Sequence, residues 1–126
     1  MQTIDRAELS RWMDEGRDFA LVEVLPPEAF RAFHLPGAIN VPVHQKGFGA
    51  AIERAVPAKD RPVVVYCQDR DCHASPEAAE RMEQSGYRQV YDYEAGKADW
   101  KDAGLPVQEG RSSDPRLDPE QRRSKP

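Results

Sequence analysis

Apolar residues recur along this chain in short runs separated by polar, proline-bearing and glycine-bearing breaks. Asp5-Arg-Ala-Glu8 has the form of a helix start, and Leu9, Trp12 and Met13 share one helical face before Gly16, which predicts a helix over residues 6–15. Phe19 to Leu25 is an apolar stretch interrupted mainly by Glu23 and closed by Pro26-Pro27. It is short enough for a strand, with Glu23 near its carboxyl end. Pro27 suits the first turn of a helix reaching Phe33. His34-Leu-Pro-Gly37 then breaks the pattern, and Ala38 to Val41 reads as a second short strand.

The second half repeats this rhythm. Residues 48–55 suggest a short helix, residues 57–61 a polar loop, and Val63-Val-Val-Tyr66 is an uninterrupted apolar run, as in a strand covered on both faces. Ser75 as a cap, Pro76 at the first helical position, and Ala78, Ala79 and Met82 on one face predict a helix ending near Gly86. Val90 to Tyr93 makes another strand, and residues 97–103 a helix that closes at Gly104 before Pro106. Strands alternating with helices predict an α/β domain with a parallel sheet and helices packed on both faces.

Composition narrows the function classes. The 126 residues carry 18 Lys and Arg against 22 Asp and Glu, a net charge of −4. The imbalance is uneven: residues 1–110 hold 13 basic and 19 acidic side chains, whereas residues 111–126 hold 5 and 3. An acidic body is not built to attract nucleic acid. The final stretch has one large apolar residue, Leu117, and is expected to be a disordered polar tail after a single domain over 1–110. No apolar run approaches the roughly 20 residues of a membrane span, and the amino-terminal residues do not form a secretory signal, so a cytoplasmic protein is expected. In such a compartment two closely spaced cysteines, Cys67 and Cys72, point to chemistry before they point to a structural staple.

Cys67 directly follows the Val63–Tyr66 run and precedes the helix signalled at Ser75. Ligands of parallel α/β sheets collect at this carboxyl edge, where loops meet helix amino termini. Backbone N–H groups of Gln68, Asp69, Arg70, Asp71, Cys72 and His73, with the helix start, are expected to cradle an anion there. A thiolate is such an anion, which makes Cys67 the candidate nucleophile. Arg70 can reinforce the field, and His73 is a secondary candidate as a protonated group or base. The bland alternative is a small buried hydrophobe at a strand end.

Three segments resemble the single-domain rhodanese-like sulfurtransferases. Leu21-Val-Glu-Val-Leu-Pro-Pro-Glu-Ala-Phe30 with His34-Leu-Pro-Gly-Ala-Ile-Asn-Val-Pro42 is similar to the first signature of that family, and Val64-Val-Tyr-Cys67 to its active-site strand and nucleophile. Gly86-Tyr87, Val90, Glu94-Ala-Gly96, Trp100, Gly104 and Leu105-Pro-Val107 resemble its closing region. The resemblance implies a five-stranded parallel sheet between helices. It also implies a Cys67 that accepts a sulfane sulfur as a persulfide, from thiosulfate or a small-molecule or protein-bound persulfide, and passes it to a thiol or cyanide acceptor. No metal or organic cofactor is needed for that chemistry. Three positions depart from the family pattern. Leu25 stands where the family's Asp-x-Arg carries its cation, Phe33 replaces a usual glycine, and Cys72 occupies the place of a loop arginine. With Asp69 and Asp71 beside the site, these departures count against an anionic donor.

Cys72 opens another class of function. It can attack an oxidised or persulfidated Cys67 and leave a disulfide, which would make the protein a thiol redox protein or sensor. A small residue packed beneath the loop is the preferred reading, since loop geometry can hold two sulfurs apart. A noncatalytic rhodanese-like binding module is a third reading. The spacing differs from Cys-x-x-Cys, a zinc site lacks clustered histidines, and a phosphatase would want a later loop arginine. His34 is expected to form structural hydrogen bonds and Trp12 and Trp100 to pack in the core, while Glu23 either contacts the active loop from the neighbouring strand end or only orients backbone groups. The sequence does not specify an oligomeric state.

Overall fold

The computed structural model describes residues 2–110, so the tail expected at 111–126 lies outside the described residues. Five parallel strands form one sheet: β1 (Gln2–Thr3), β2 (Ala20–Glu23), β3 (Ile39–Asn40), β4 (Val63–Tyr66) and β5 (Val90–Tyr93), in the spatial order β1-β5-β4-β2-β3. The helices are α1 (Arg6–Asp14), α2 (Pro27–Ala32), α3 (Phe48–Ala55), α4 (Ala74–Gln84) and α5 (Gly96–Asp102). The α/β reading and its five-stranded sheet therefore hold. The element missing from the sequence pattern is β1, two exposed residues without a period of their own that register on Tyr91 and Asp92.

Alternation along the central strands divides the core into two layers. Val63 and Val65, with Ala20, Val22 and Val90, pack against Phe48 and Ile52 of α3 and Ala78, Ala79 and Met82 of α4. Val64, Tyr66, Leu21 and Tyr93 turn the other way, against Leu9 and Trp12 of α1, Phe30 of α2 and Trp100 of α5. Val63, Val64 and Val65 are all fully buried. Each contributes on the order of 1.5–3 kcal/mol of burial, which explains why β4 is apolar at every position. Trp12 and Trp100 lie in the core, as expected.

Local signals set the helix ends. Asp5 caps α1 by accepting the Glu8 N–H at 2.9 Å, and Pro27 opens α2. The cap expected at Ser75 is displaced: α4 begins at Ala74 with His73 at its cap, and Ser75 is buried within the first turn. Its hydroxyl faces the interior, where a polar partner outweighs a capping role. The segment joining Cys67 to α4 is thereby shortened to residues 68–73.

Candidate active site

Cys67 lies one residue beyond β4, at the carboxyl edge of the central strand, and is 1% exposed. The amino end of α5 holds its backbone. Lys97 N–H donates to the Cys67 carbonyl at 3.0 Å, and Ala98 N–H donates to that of Gln68 at 2.9 Å. This contact requires Gly96. Its φ is +74°, and a Cβ there would fall 2.5 Å from the Gln68 carbonyl carbon and 2.6 Å from Asp69 N. Only a residue without a side chain allows the two backbones to approach so closely.

The loop curls around Asp69. Its side-chain Oδ1 accepts the Asp71 N–H at 3.0 Å, and its carbonyl accepts the Cys72 N–H at 3.1 Å. This turn brings Cys72 back over Cys67 and joins the two in a disulfide, with Cα atoms 6.4 Å apart. The preference for a Cys72 that merely packs beneath the loop is therefore corrected. Four intervening residues suffice because the Asp69 turn folds them so that the two cysteines come within the disulfide range. Cys72 also packs on the α3–α4 side of the core. In this closed loop the N–H groups of Asp71 and Cys72 are used by Asp69, so the cradle expected from residues 68–73 is partly occupied from within.

The remaining candidates spread outward. Gln68, Arg70, Asp71 and His73 are exposed, and Asp69 is half-buried. Arg70 lines an open cleft of about 320 Å³ with Asp5, Arg6, Glu94 and Asp99, beside the β1–α1 junction. Arg6 is paired there with Asp99 at 2.8 Å. His73 makes no side-chain cap to α4.

Two buried acids flank the cysteine strand, one on each side of the sheet. Glu23, at the end of β2, meets Lys97 of α5 at 3.0 Å, and both side chains are almost wholly excluded from solvent. Lys97 Nζ also donates to the carbonyls of Ala29 and Phe33, each at 2.7 Å. Its three protons thus have three acceptors. Burial disfavours both charges, raising the Glu23 pKa and lowering that of Lys97, while each is held ionised by the other. The ion pair ties β2, α2 and α5 together at the edge where Cys67 emerges. Asp92 of β5 is fully buried, its register partner across β4 being Val65. Neither carboxylate oxygen has a well-formed hydrogen bond among the described residues. Burial raises the Asp92 pKa, and the nearby Ser75 hydroxyl offsets part of that rise. Ser75 Oγ lies 3.5 Å from Cys67 Sγ. Sequence reasoning missed both Lys97 and Asp92. An acid between Tyr91 and Tyr93 in an apolar strand was a visible signal for the second.

His34 behaves as expected. Its ring nitrogen Nδ1 donates to the Phe30 carbonyl at 2.8 Å, which fixes the neutral tautomer, and the ring stacks on Phe30. Burial lowers its pKa.

Residues 5–103 match the Rhodanese-like domain family. The chain belongs to that family. Among curated relatives, this rhodanese-like protein is 39% identical over 107 residues to the HTH-type transcriptional regulator Rv0324 of Mycobacterium tuberculosis (strain ATCC 25618 / H37Rv), covering 85% of this chain and 45% of that protein. It is 29% identical over 98 residues to the probable adenylyltransferase/sulfurtransferase MoeZ of Mycobacterium tuberculosis (strain CDC 1551 / Oshkosh), covering 78% of this chain and 24% of the other. The rhodanese-like chain thus spans less than half the length of these relatives. Thiosulfate sulfurtransferase from Pseudomonas aeruginosa shares its fold, with a TM-score of 0.78 at 17% identity over 89% of this chain and 21% of that one. No described helix is long and apolar enough to cross a membrane.

Proposed function

We propose that this rhodanese-like domain is a cytoplasmic sulfurtransferase in which reduced Cys67 carries sulfane sulfur as a persulfide. The supporting observation is the location of Cys67: a buried sulfur at the carboxyl end of the central strand, beside the first turn of α4 and in a loop held by α5. The Cys67 thiolate attacks the outer sulfur of a persulfide donor and displaces the donor thiolate. A thiol acceptor, or cyanide, then takes the terminal sulfur and regenerates the Cys67 thiolate. The positive end of α4 favours both anionic forms of the sulfur. Arg70 is the substrate-side cation, aided by the loop from Gln68 to His73. The acids at Asp69 and Asp71 favour a thiol-bound donor over thiosulfate.

The disulfide supports a second reading, a thiol redox protein. Here Cys72 attacks Cys67 Sγ in the persulfide and expels hydrosulfide, and an external dithiol must reopen the disulfide. A noncatalytic binding module is the remaining alternative.

Intact mass separates these readings. The reduced protein is incubated with thiosulfate, with a low-molecular-weight persulfide, or with mild peroxide, and cyanide is then added. Cys67→Ser and Cys72→Ser serve as controls. One added sulfur that requires Cys67 and leaves as thiocyanate is expected. Loss of two hydrogens with no retained sulfur would replace this reading with the redox one, and no change under any condition would leave a binding module.

A further inference from the structure

Asp92 is a fully buried acid that the sulfur-transfer steps above do not use. Neither of its oxygens has a hydrogen-bond partner among the described residues, an arrangement that a purely structural carboxylate rarely keeps. It lies on the α3–α4 side of the sheet, as Cys67 does, because its register partner on β4 is Val65, two residues before Cys67. Ser75, buried in the first turn of α4, lies 3.5 Å from Cys67 Sγ and near enough to Asp92 for its hydroxyl to act on that carboxyl.

We propose that Asp92 is the positioning residue for the reduced Cys67 thiol, receiving its proton through the Ser75 hydroxyl. The Cys67 S–H proton passes to Ser75 Oγ as the Ser75 proton passes to the Asp92 carboxylate. The balance is one thiol and one carboxylate giving one thiolate and one carboxylic acid, with Ser75 unchanged. The protonated acid then donates to Ser75 Oγ, and the Ser75 hydroxyl donates to the sulfur anion. While Asp92 is ionised, the hydroxyl turns toward it and presents a lone pair to the thiol. Burial raises the proton affinity of the Asp92 carboxylate, which narrows its gap from the thiol. Glu94, exposed just beyond the end of β5, is the other charge bearing on Asp92 and acts in the same direction. Just after β1, the Ile4 N–H donates to the Asp92 backbone carbonyl at 3.1 Å. From β4 the facing residue, Val65, is apolar.

This inference rests on Cys67 as the reactive sulfur, but its test does not require sulfur transfer. Full-length reduced protein is alkylated with iodoacetamide from about pH 4 to 10, and modification of Cys67 is followed by peptide mass, which keeps Cys72 separate. Two groups sharing a proton titrate as a pair, so the wild-type rate should rise in two steps. Asp92→Asn and Ser75→Ala should each leave a single step. Ser75→Thr, which keeps the hydroxyl, should restore the lower step, and the double variant should match Ser75→Ala alone. A single-step wild-type profile, or a lower step that survives Ser75→Ala, overturns the proposal. Ser75→Ala removes only one oxygen, so the test stands even if Asp92→Asn fails to fold. Loss of sulfur transfer with a two-step profile would count against the proposed function and leave this inference intact.

Discussion

Replacing Lys97 by Met tests whether the buried ion pair organises the active-site edge. Lys97 is 1% exposed and Glu23 is fully buried. The substitution removes a 3.0 Å contact to Glu23 and two 2.7 Å bonds to the Ala29 and Phe33 carbonyls. Methionine keeps most of the volume, so the main loss is electrostatic. Taking one partner from a buried pair typically costs about 3–5 kcal/mol, because the other charge is left uncompensated. Against a total stability on the order of 5–15 kcal/mol, that is a large effect. The cost also depends on pH in a defined direction. Burial already raises the Glu23 pKa above 4.5, and Lys97 opposes the rise most, with a smaller contribution from Tyr66. Without Lys97, the folded protein binds the Glu23 proton more tightly than the unfolded chain does. The stabilisation from that proton is fully present below about pH 4.5 and is lost as pH rises through the higher folded value. Urea unfolding of Lys97→Met should therefore show a deficit that is smallest near pH 4.5, where only the two carbonyl bonds are missed, and that grows toward pH 7. Glu23→Gln/Lys97→Met, with no charge to strand, should recover roughly 2 kcal/mol at pH 7 and lose the pH dependence. Equal destabilisation of the single and double variants at every pH would refute the electrostatic argument and leave only lost packing.

Other predictions concern the loop and its supports. Gly96→Ala places a Cβ 2.5 Å from the Gln68 backbone at φ +74°, so it should cost about 2–4 kcal/mol in chemical denaturation and slow alkylation of reduced Cys67. The Cys67–Cys72 disulfide spans a sequence separation of 5, for which chain entropy gives about 2 kcal/mol. A dithiol should lower the wild-type unfolding midpoint accordingly and leave Cys72→Ser unmoved; equal responses would refute this. His34 has a pKa lowered from 6.5 by burial, so its contribution is present above about pH 6.5 and is lost as pH falls. His34→Asn, which can keep the donor to Phe30, should flatten unfolding free energies between about pH 6.5 and 4.5, where wild type declines.

The parts of this molecule that were legible in its sequence are those fixed by neighbours in the chain. β4 announces itself through four apolar residues, and Cys67 follows because a strand end meeting a helix start needs only local spacing. Ser75 misled because a serine followed by proline satisfies the local rule for a cap, whereas its hydroxyl is used by the interior, near Cys67 and Asp92. β1 was invisible for the opposite reason: Gln2 and Thr3 are exposed and are ordered only by pairing with β5. The disulfide depended on a turn made by one aspartate, which neither cysteine reveals.

The ion pair shows how a local departure from a family pattern can mislead about charge. Leu25 places no cation two residues after the β2 acid, a departure that counts against an anionic donor. The fold supplies one from α5, in a lysine 74 positions away that also closes the carbonyls at the end of α2. Lys97 reaches Glu23 only because Gly96 lets α5 start against the Cys67 loop, where the Lys97 N–H holds the Cys67 carbonyl. The same residue therefore joins the acid of β2 to the backbone of the candidate nucleophile. A change at Glu23 should thus be felt at Cys67 through the placement of α5, without any direct contact between the two side chains.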